Sequence, residues 1–262
     1  DLLAYHPGDD GSADALANAA FLKTGLKRFG DAANSFERYH DDYSDKEDAK
    51  DLLFKSAELF EVAGNANDAT RVYKRWLKLY GVDDPDGWVE TQRKLADQAL
   101  ARGKRKQAEK IIQLIYDSYP NIKAELSAVG MRICAEIAFQ PLLVEFKEYE
   151  ELQFPDSQDV EVLQKVFDRK LEWNKEVAAA FDSFVSEYND FEWGSAAFYY
   201  KALSFKRHGE TWLQAPIPYD PDDPNEEEYF YIYSDRLSAS AEPFEATAVQ
   251  LFEQLVNTAK DK

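Results

Sequence analysis

The chain has 262 residues, with 31 Lys plus Arg against 50 Asp plus Glu, a formal net charge of -19 and a sequence pI near 4.6. A field of that sign repels a phosphate backbone and an anionic membrane surface, so nucleic-acid binding and membrane-surface binding are excluded as expectations. One cysteine, Cys134, rules out an intramolecular disulfide and a Cys-based metal site, and no run approaches the roughly 18 apolar residues that span a bilayer. The hydrophobic fraction of 45% supplies a real core, while 11 Gly and 10 Pro are few for a sandwich or barrel. The sequence opens at Asp1 without an initiator Met or a signal-peptide pattern, as expected of a mature product or an excised piece.

In chain order, the first pattern starts from Ala20: steps of 12, 16, 19 and 23 residues reach Ala32, Phe36, Tyr39 and Tyr43. From Ala57 the same steps reach Ala69, Tyr73, Trp76 and Tyr80, and from Ala96 they reach Ala108, Ile112, Ile115 and Tyr119, with Pro120 next. The spacings of four and three put the large residues on one face of a helix, and the small residues let two helices approach closely. Gly64 and Gly103 stand seven residues after Ala57 and Ala96, where a helical hairpin must turn and glycine takes a left-handed backbone at little cost. The origins are 37 and 39 residues apart, a period for stacked helix pairs. The best repeats are 47–81 and 86–120, and 12–44 is degenerate. The register continues from Gly130 to Leu142, Phe146 and Tyr149, and from Lys165 to Val177, Phe181, Phe184 and Tyr188, giving degenerate repeats 122–155 and 158–190.

Beyond Tyr188 a helix is expected over 193–208, closed by Gly209, followed by a Pro-rich acidic loop over 215–225 with Pro216, Pro218, Pro221 and Pro224. Two capping helices follow, 226–240 and 243–260, the second opening on Pro243 at a tolerated first-turn position. The segment 220–228, DPDDPNEEE, lacks the central glycine and spacing of an EF-hand loop and reads as a solvated acidic loop.

The small-residue origins, the Gly turns, and the Ala followed by aromatics and a closing Pro resemble the tetratricopeptide repeat (TPR) family, best matched at 57–80 and 96–120. The resemblance implies an all-α, right-handed superhelix (α-solenoid) of about six to seven antiparallel helix pairs, in one domain spanning 1–262. It also implies a concave groove of first-helix residues that holds a peptide or helix of another protein, with Gln92 and Arg93 among the candidate positions. The broader likeness is to bacterial envelope-associated repeat proteins of the gliding-motility type. It implies a periplasmic or envelope-associated chain in a larger complex, with cytoplasm also compatible with a single cysteine.

Only His6, His40 and His208 are present, in no metal-binding or nucleophile-activating spacing, and phosphate loops are absent. A non-enzymatic scaffold without catalytic residues, cofactor or metal is therefore expected. Fourteen aromatic residues fall within 184–233, about twice the chain-wide density, and the triplets 198–200 and 229–231 exceed what one helical stripe buries. Because Tyr and Trp favour interfaces, the expected partner contact uses Tyr199, Trp212, Tyr219 and Tyr231 as anchors, with Asp220, Asp222 and Asp223 steering a basic ligand. Packing of the Pro-rich loop over these rings as an intrachain lid is the competing explanation. A carbohydrate- or substrate-binding domain of a cell-wall-acting protein and a self-assembling structural protein are the alternative functions.

Overall fold

The structure is a computed structural model that describes residues 10–217 and 225–260, apart from 156 and 158. Among the described residues it holds ten helices and no strand, so the chain is all-α. It divides into two compact units, 1–134 and 135–262.

The first unit contains α1 (Asp10–Gly25), α2 (Phe29–Asp42), α3 (Ala49–Val62), α4 (Ala66–Tyr80), α5 (Pro85–Ala101) and α6 (Arg105–Ile122). Each packs on the next in sequence. The three origins Ala20, Ala57 and Ala96 and their partners Ala32, Ala69 and Ala108 are all buried, together with Phe36, Tyr39, Tyr43, Tyr73, Trp76, Ile115 and Tyr119. A methyl side chain at those six sites lets the two helices of each hairpin meet closely, and the larger residues fill the space on either side.

The hairpin turns share one geometry. Seven residues after each origin the backbone is left-handed, with φ of +58° at Lys27, +77° at Gly64 and +70° at Gly103. The next residue has φ/ψ of -88°/60° at Arg28, -87°/60° at Asn65 and -87°/56° at Lys104. Its N–H donates to the carbonyl five residues earlier, at 2.9 Å (Lys23), 2.8 Å (Phe60) and 2.8 Å (Ala99), which satisfies a carbonyl the helix end would leave open.

Between hairpins, Ser56 donates to the Ala33 carbonyl at 2.8 Å, and Arg71 on α4 binds Glu37 on α2 through two bonds of 2.5 and 2.8 Å. Gln98 on α5 donates to Glu61 on α3 at 2.7 Å and accepts from Thr70 on α4 at 2.5 Å. A Cβ at Gly87 would stand 2.2 Å from the Trp76 ring, so only glycine lets α5 lie against α4 there. Asp84 caps α5 by accepting from the Gly87 N–H at 2.9 Å, and Pro85 opens the helix where its missing N–H costs nothing.

The next helix, α7 (Ala128–Glu151), contains the division between the units. The second unit takes its later residues with α8 (Val160–Glu187), α9 (Phe191–Leu213) and α10 (Glu226–Lys260). Here the structure departs from the expected repeats. Segments 122–155 and 158–190 each form one long helix instead of a hairpin. The turn position seven residues after Gly130 is Ile137, and after Lys165 it is Glu172, so neither offers a glycine where the chain would reverse. The two expected terminal helices are likewise one, with Pro243 inside α10. Pro243 forfeits one helical hydrogen bond, and burial of Leu237, Ala241 and Ala248 on both sides of it offsets that loss. The helix expected over 193–208 runs on to Leu213, because Gly209 serves close packing rather than termination: a Cβ there would stand 3.0 Å from Glu245 on α10. The ten helices among the described residues compare with the twelve to fourteen that six or seven pairs require.

The core of the second unit is aromatic. Phe139, 1% exposed, meets Phe181, Phe184, Trp193 and Tyr200 at centroid distances of 6.1, 5.3, 5.2 and 5.8 Å. Phe146 adds contacts to Phe181 and Tyr200 at 6.3 and 5.2 Å, joining α7, α8 and α9 around one ring cluster.

Candidate functional site

The residues expected to bind a partner fall in several environments. Gln92 and Arg93 lie on α5 in the first unit, both half-buried, with Arg93 donating to Asp97 at 3.1 Å. The aromatic candidates belong to the second unit. Tyr199 on α9 is 43% exposed and packs edge-on to Tyr200 at 5.4 Å, with Phe252 of α10 at 5.7 Å. Tyr231 is 62% exposed at the start of α10, beside Tyr229, Phe230 and Ile232, which are also exposed. These four consecutive residues point round the helix rather than to one face, and each is open to solvent. Trp212 is occupied within its own unit, stacked on Phe167 at 4.1 Å and 22° and surrounded by Phe154, Ala215, Ile217, Tyr233 and Leu237. Tyr219, Asp220, Asp222 and Asp223 lie outside the described residues, as does most of the acidic segment 220–228.

A second feature of this unit was not anticipated from sequence. The C-terminal end of α7, the segment after it, α8 and α9 line an open cavity of about 700 Å³ whose wall includes Lys147, Glu150, Leu152, Lys170, Arg207 and Glu210. Lys170 on α8 is 4% exposed. Its ammonium donates to the Leu152 carbonyl at 2.7 Å and stands 5.5 Å from the centre of the Tyr149 ring. Burial lowers its pKa below the ordinary lysine value, an effect that Glu150 opposes. Among the described residues, no carboxylate lies within ion-pair distance of it.

Next to Lys170 lies a buried polar group. Tyr149, fully buried, has its hydroxyl 3.3 Å from the Ser204 carbonyl, 3.4 Å from His208 Nδ1 and 3.4 Å from Asn174 Nδ2. If the hydroxyl donates to Ser204, His208 carries its proton on Nδ1 and leaves only the acceptor Nε2 unpaired, the less costly choice. Nε2 of His208 and Nε1 of Trp212 are buried without a hydrogen-bond partner among the described residues. Burial, reinforced by the charge of Lys170, lowers the His208 pKa to about 4, so the imidazole is neutral at pH 7.

The first unit holds another buried histidine. His40 Nε2 lies 2.7 Å from the Tyr80 hydroxyl and Nδ1 lies 3.2 Å from Arg75, whose donor fixes Nδ1 as the acceptor. Burial and Arg75 lower its pKa. Glu37 and Arg71 complete this cluster, which ties α2 to α4.

Sequence alone did not single out Lys170 because RKLE at 169–172 reads as an ordinary solvated helix face. Its burial comes from the chain that returns at Leu152, eighteen residues away. The available signal was weak: Lys170 falls three residues after Phe167 and seven before Val177, on the buried stripe of α8. Among the described residues, no helix is long and apolar enough to cross a membrane. No protein-family model matches the chain, and no curated protein matches it.

Proposed function

We propose that the chain is a non-enzymatic, tetratricopeptide-like scaffold that holds a peptide or helix of another protein. The observation that supports this most is the threefold recurrence of one hairpin: buried alanines at fixed offsets, and turns of the same backbone geometry at residues 27, 64 and 103. Helix pairs repeated with a constant small rotation build a superhelix whose concave side carries first-helix residues, and a right-handed sense accords with the family resemblance. Lys55, Gln92 and Arg93 are positions for partner contact on that side; the exposed start of α10 is a second position, and Tyr199, which packs on Phe252 towards the other end of α10, is a third. The net charge of -19 favours a basic partner by steering its approach. A bacterial envelope complex is the setting that the resemblance suggests.

The test is affinity capture from the native source followed by cross-link mapping. Cross-links from one reproducible partner to α1, α3 and α5, or to 199 and 229–232, support the scaffold; a partner held only elsewhere on the chain argues against these surfaces. End-to-end self-association is favoured by one feature, the 70% exposure of both Leu22 and Leu26 at the end of α1. A concentration-dependent mass in sedimentation that Leu22→Ser/Leu26→Ser abolishes would establish it.

A further inference from the structure

We infer that the cavity of the second unit is a binding site for a carboxylate-bearing ligand, with Lys170 as its buried counter-ion. The inference rests on how charge is matched around the cavity. Arg207 pairs with Glu150 at 2.7 Å and with Glu210 at 2.7 Å, and Glu210 is also 3.6 Å from Lys206. Lys147 stands 3.9 Å from Glu151 at the rim. The wall thus carries three carboxylates and three cations: Arg207 holds Glu150 and Glu210, Lys147 faces Glu151, and Lys170 is the wall cation with no carboxylate within ion-pair distance among the described residues.

Lys170 is also the most deeply buried of these groups, at 4% exposure. An ammonium has three donors, and Lys170 uses one, on the Leu152 carbonyl at 2.7 Å. A charge removed from water without an opposite partner is costly, and a backbone carbonyl with a ring 5.5 Å away compensates only part of it. A carboxylate in the cavity would take up the two remaining donors and neutralise the charge of a side chain that is itself almost wholly buried, which strengthens such a bond. The volume of about 700 Å³ is in the range for small-molecule sites and suits an organic acid or the end of a peptide. Both present the same group, so the chemistry is assigned and its source is read from the test. The site is independent of the scaffold surfaces on α1, α3 and α5.

The experiment is thermal unfolding of the full chain with increasing sodium succinate, against sodium chloride at equal ionic strength. It is repeated with an acetylated trialanine peptide carrying either a free or an amidated C-terminus. A saturable rise in Tm with succinate alone assigns a free organic acid; a rise with the free-ended peptide and none with the amidated one assigns a chain terminus. Lys170→Met and Lys170→Gln remove the charge without and with a polar group facing Leu152, respectively, and both abolish the rise. Lys165→Met, an exposed change on the same helix, leaves it intact. Without ligand, Lys170→Met melts at or above the wild-type temperature, because an unmatched buried charge has gone. The inference is overturned if neither carboxylate produces a saturable shift, or if the shift survives in either Lys170 variant.

Discussion

The two units fill their interiors by different means. In the first, alanines at six equivalent sites set the closest approach of α1 to α2, α3 to α4 and α5 to α6, and a left-handed residue reverses the chain at each hairpin. In the second, the expected turn positions Ile137 and Glu172 lie inside helices, the helices run 23 to 35 residues, and rings occupy the space between them. The same apolar periodicity thus serves both units; glycine stands seven places after the origin in two of the three hairpins and in neither long helix, while Lys27 turns the first hairpin without one, so glycine at that position favours the reversal but does not alone decide it. Polar burial differs as well. The first unit pairs its buried Glu37 with Arg71, whereas in the second, among the described residues, Lys170 has no carboxylate within ion-pair distance and His208 Nε2 has no hydrogen-bond partner.

The largest expected effect tests the ring-filled interior. Phe139→Ala removes a side chain that touches four others and leaves a cavity that the long helices cannot close, so it should cost about 3–5 kcal/mol in chemical denaturation. A loss under about 1 kcal/mol would mean that the cluster relaxes around the gap and does not define the unit.

The next effect is set by pH. His208 has a folded pKa of about 4 against about 6.5 unfolded. Below pH 6.5 the unfolded chain takes up a proton that the folded chain refuses, so the stability from the neutral ring is complete above that pH and declines as pH falls toward 4. The contribution lost is about 2 kcal/mol at pH 5 and approaches about 3 kcal/mol near pH 4. His40, also held neutral by burial and Arg75, acts in the same direction. Denaturation midpoints at pH 7 and pH 5 for wild type and His208→Gln measure this: the variant should show a smaller difference between the two pH values. An equal difference in both would place the pH sensitivity elsewhere.

A smaller effect sharpens the alanine-set spacing of the first unit. Ala69 is fully buried between α3 and α4, so Ala69→Leu should overpack the hairpin and cost about 1–3 kcal/mol, with Ala108→Leu similar between α5 and α6. Unchanged melting temperatures in both would contradict the close approach at those sites.

How much of this was legible in the sequence follows from where each feature is encoded. The faces of α2, α4 and α6 were readable because Ala32, Phe36 and Tyr39 and their equivalents repeat at helical spacing, and the same periodicity identified Phe146, Tyr149, Val177, Phe181 and Phe184 as inward-facing. Periodicity says nothing about where a helix stops, so 122–155 and 158–190 were expected to turn and do not. Pro243 suggested a helix start by local rule, but the buried residues on either side carry α10 through it. The position of Trp212 against Phe167 and the burial of Lys170 beneath Leu152 both depend on segments distant in the chain. Neither leaves a pattern within one helix, which is why an aromatic-rich stretch pointed toward Trp212 as an anchor while the cavity beside it went unnoticed.

The smallest effect is also the one that isolates turn chemistry from packing. Lys27 occupies the position that Gly64 and Gly103 hold in the next two hairpins and adopts the same left-handed backbone, at φ +58°. A side chain there brings Cβ close to the carbonyl, a cost of roughly 1–2 kcal/mol that glycine does not carry, partly offset by the greater freedom of glycine in the unfolded chain. Lys27→Gly should therefore stabilise the protein by about 1 kcal/mol or less. The reverse changes, Gly64→Ala and Gly103→Ala, should each destabilise by about 1 kcal/mol. A Cβ at either glycine would meet nothing within 4 Å, so crowding cannot account for the loss. Urea denaturation of the three single variants measures all of this on one scale. If the gain at Lys27 and the two losses share a magnitude, the three turns are energetically as well as geometrically equivalent. If Lys27→Gly is destabilising, the first turn depends on its lysine side chain and differs in kind from the other two.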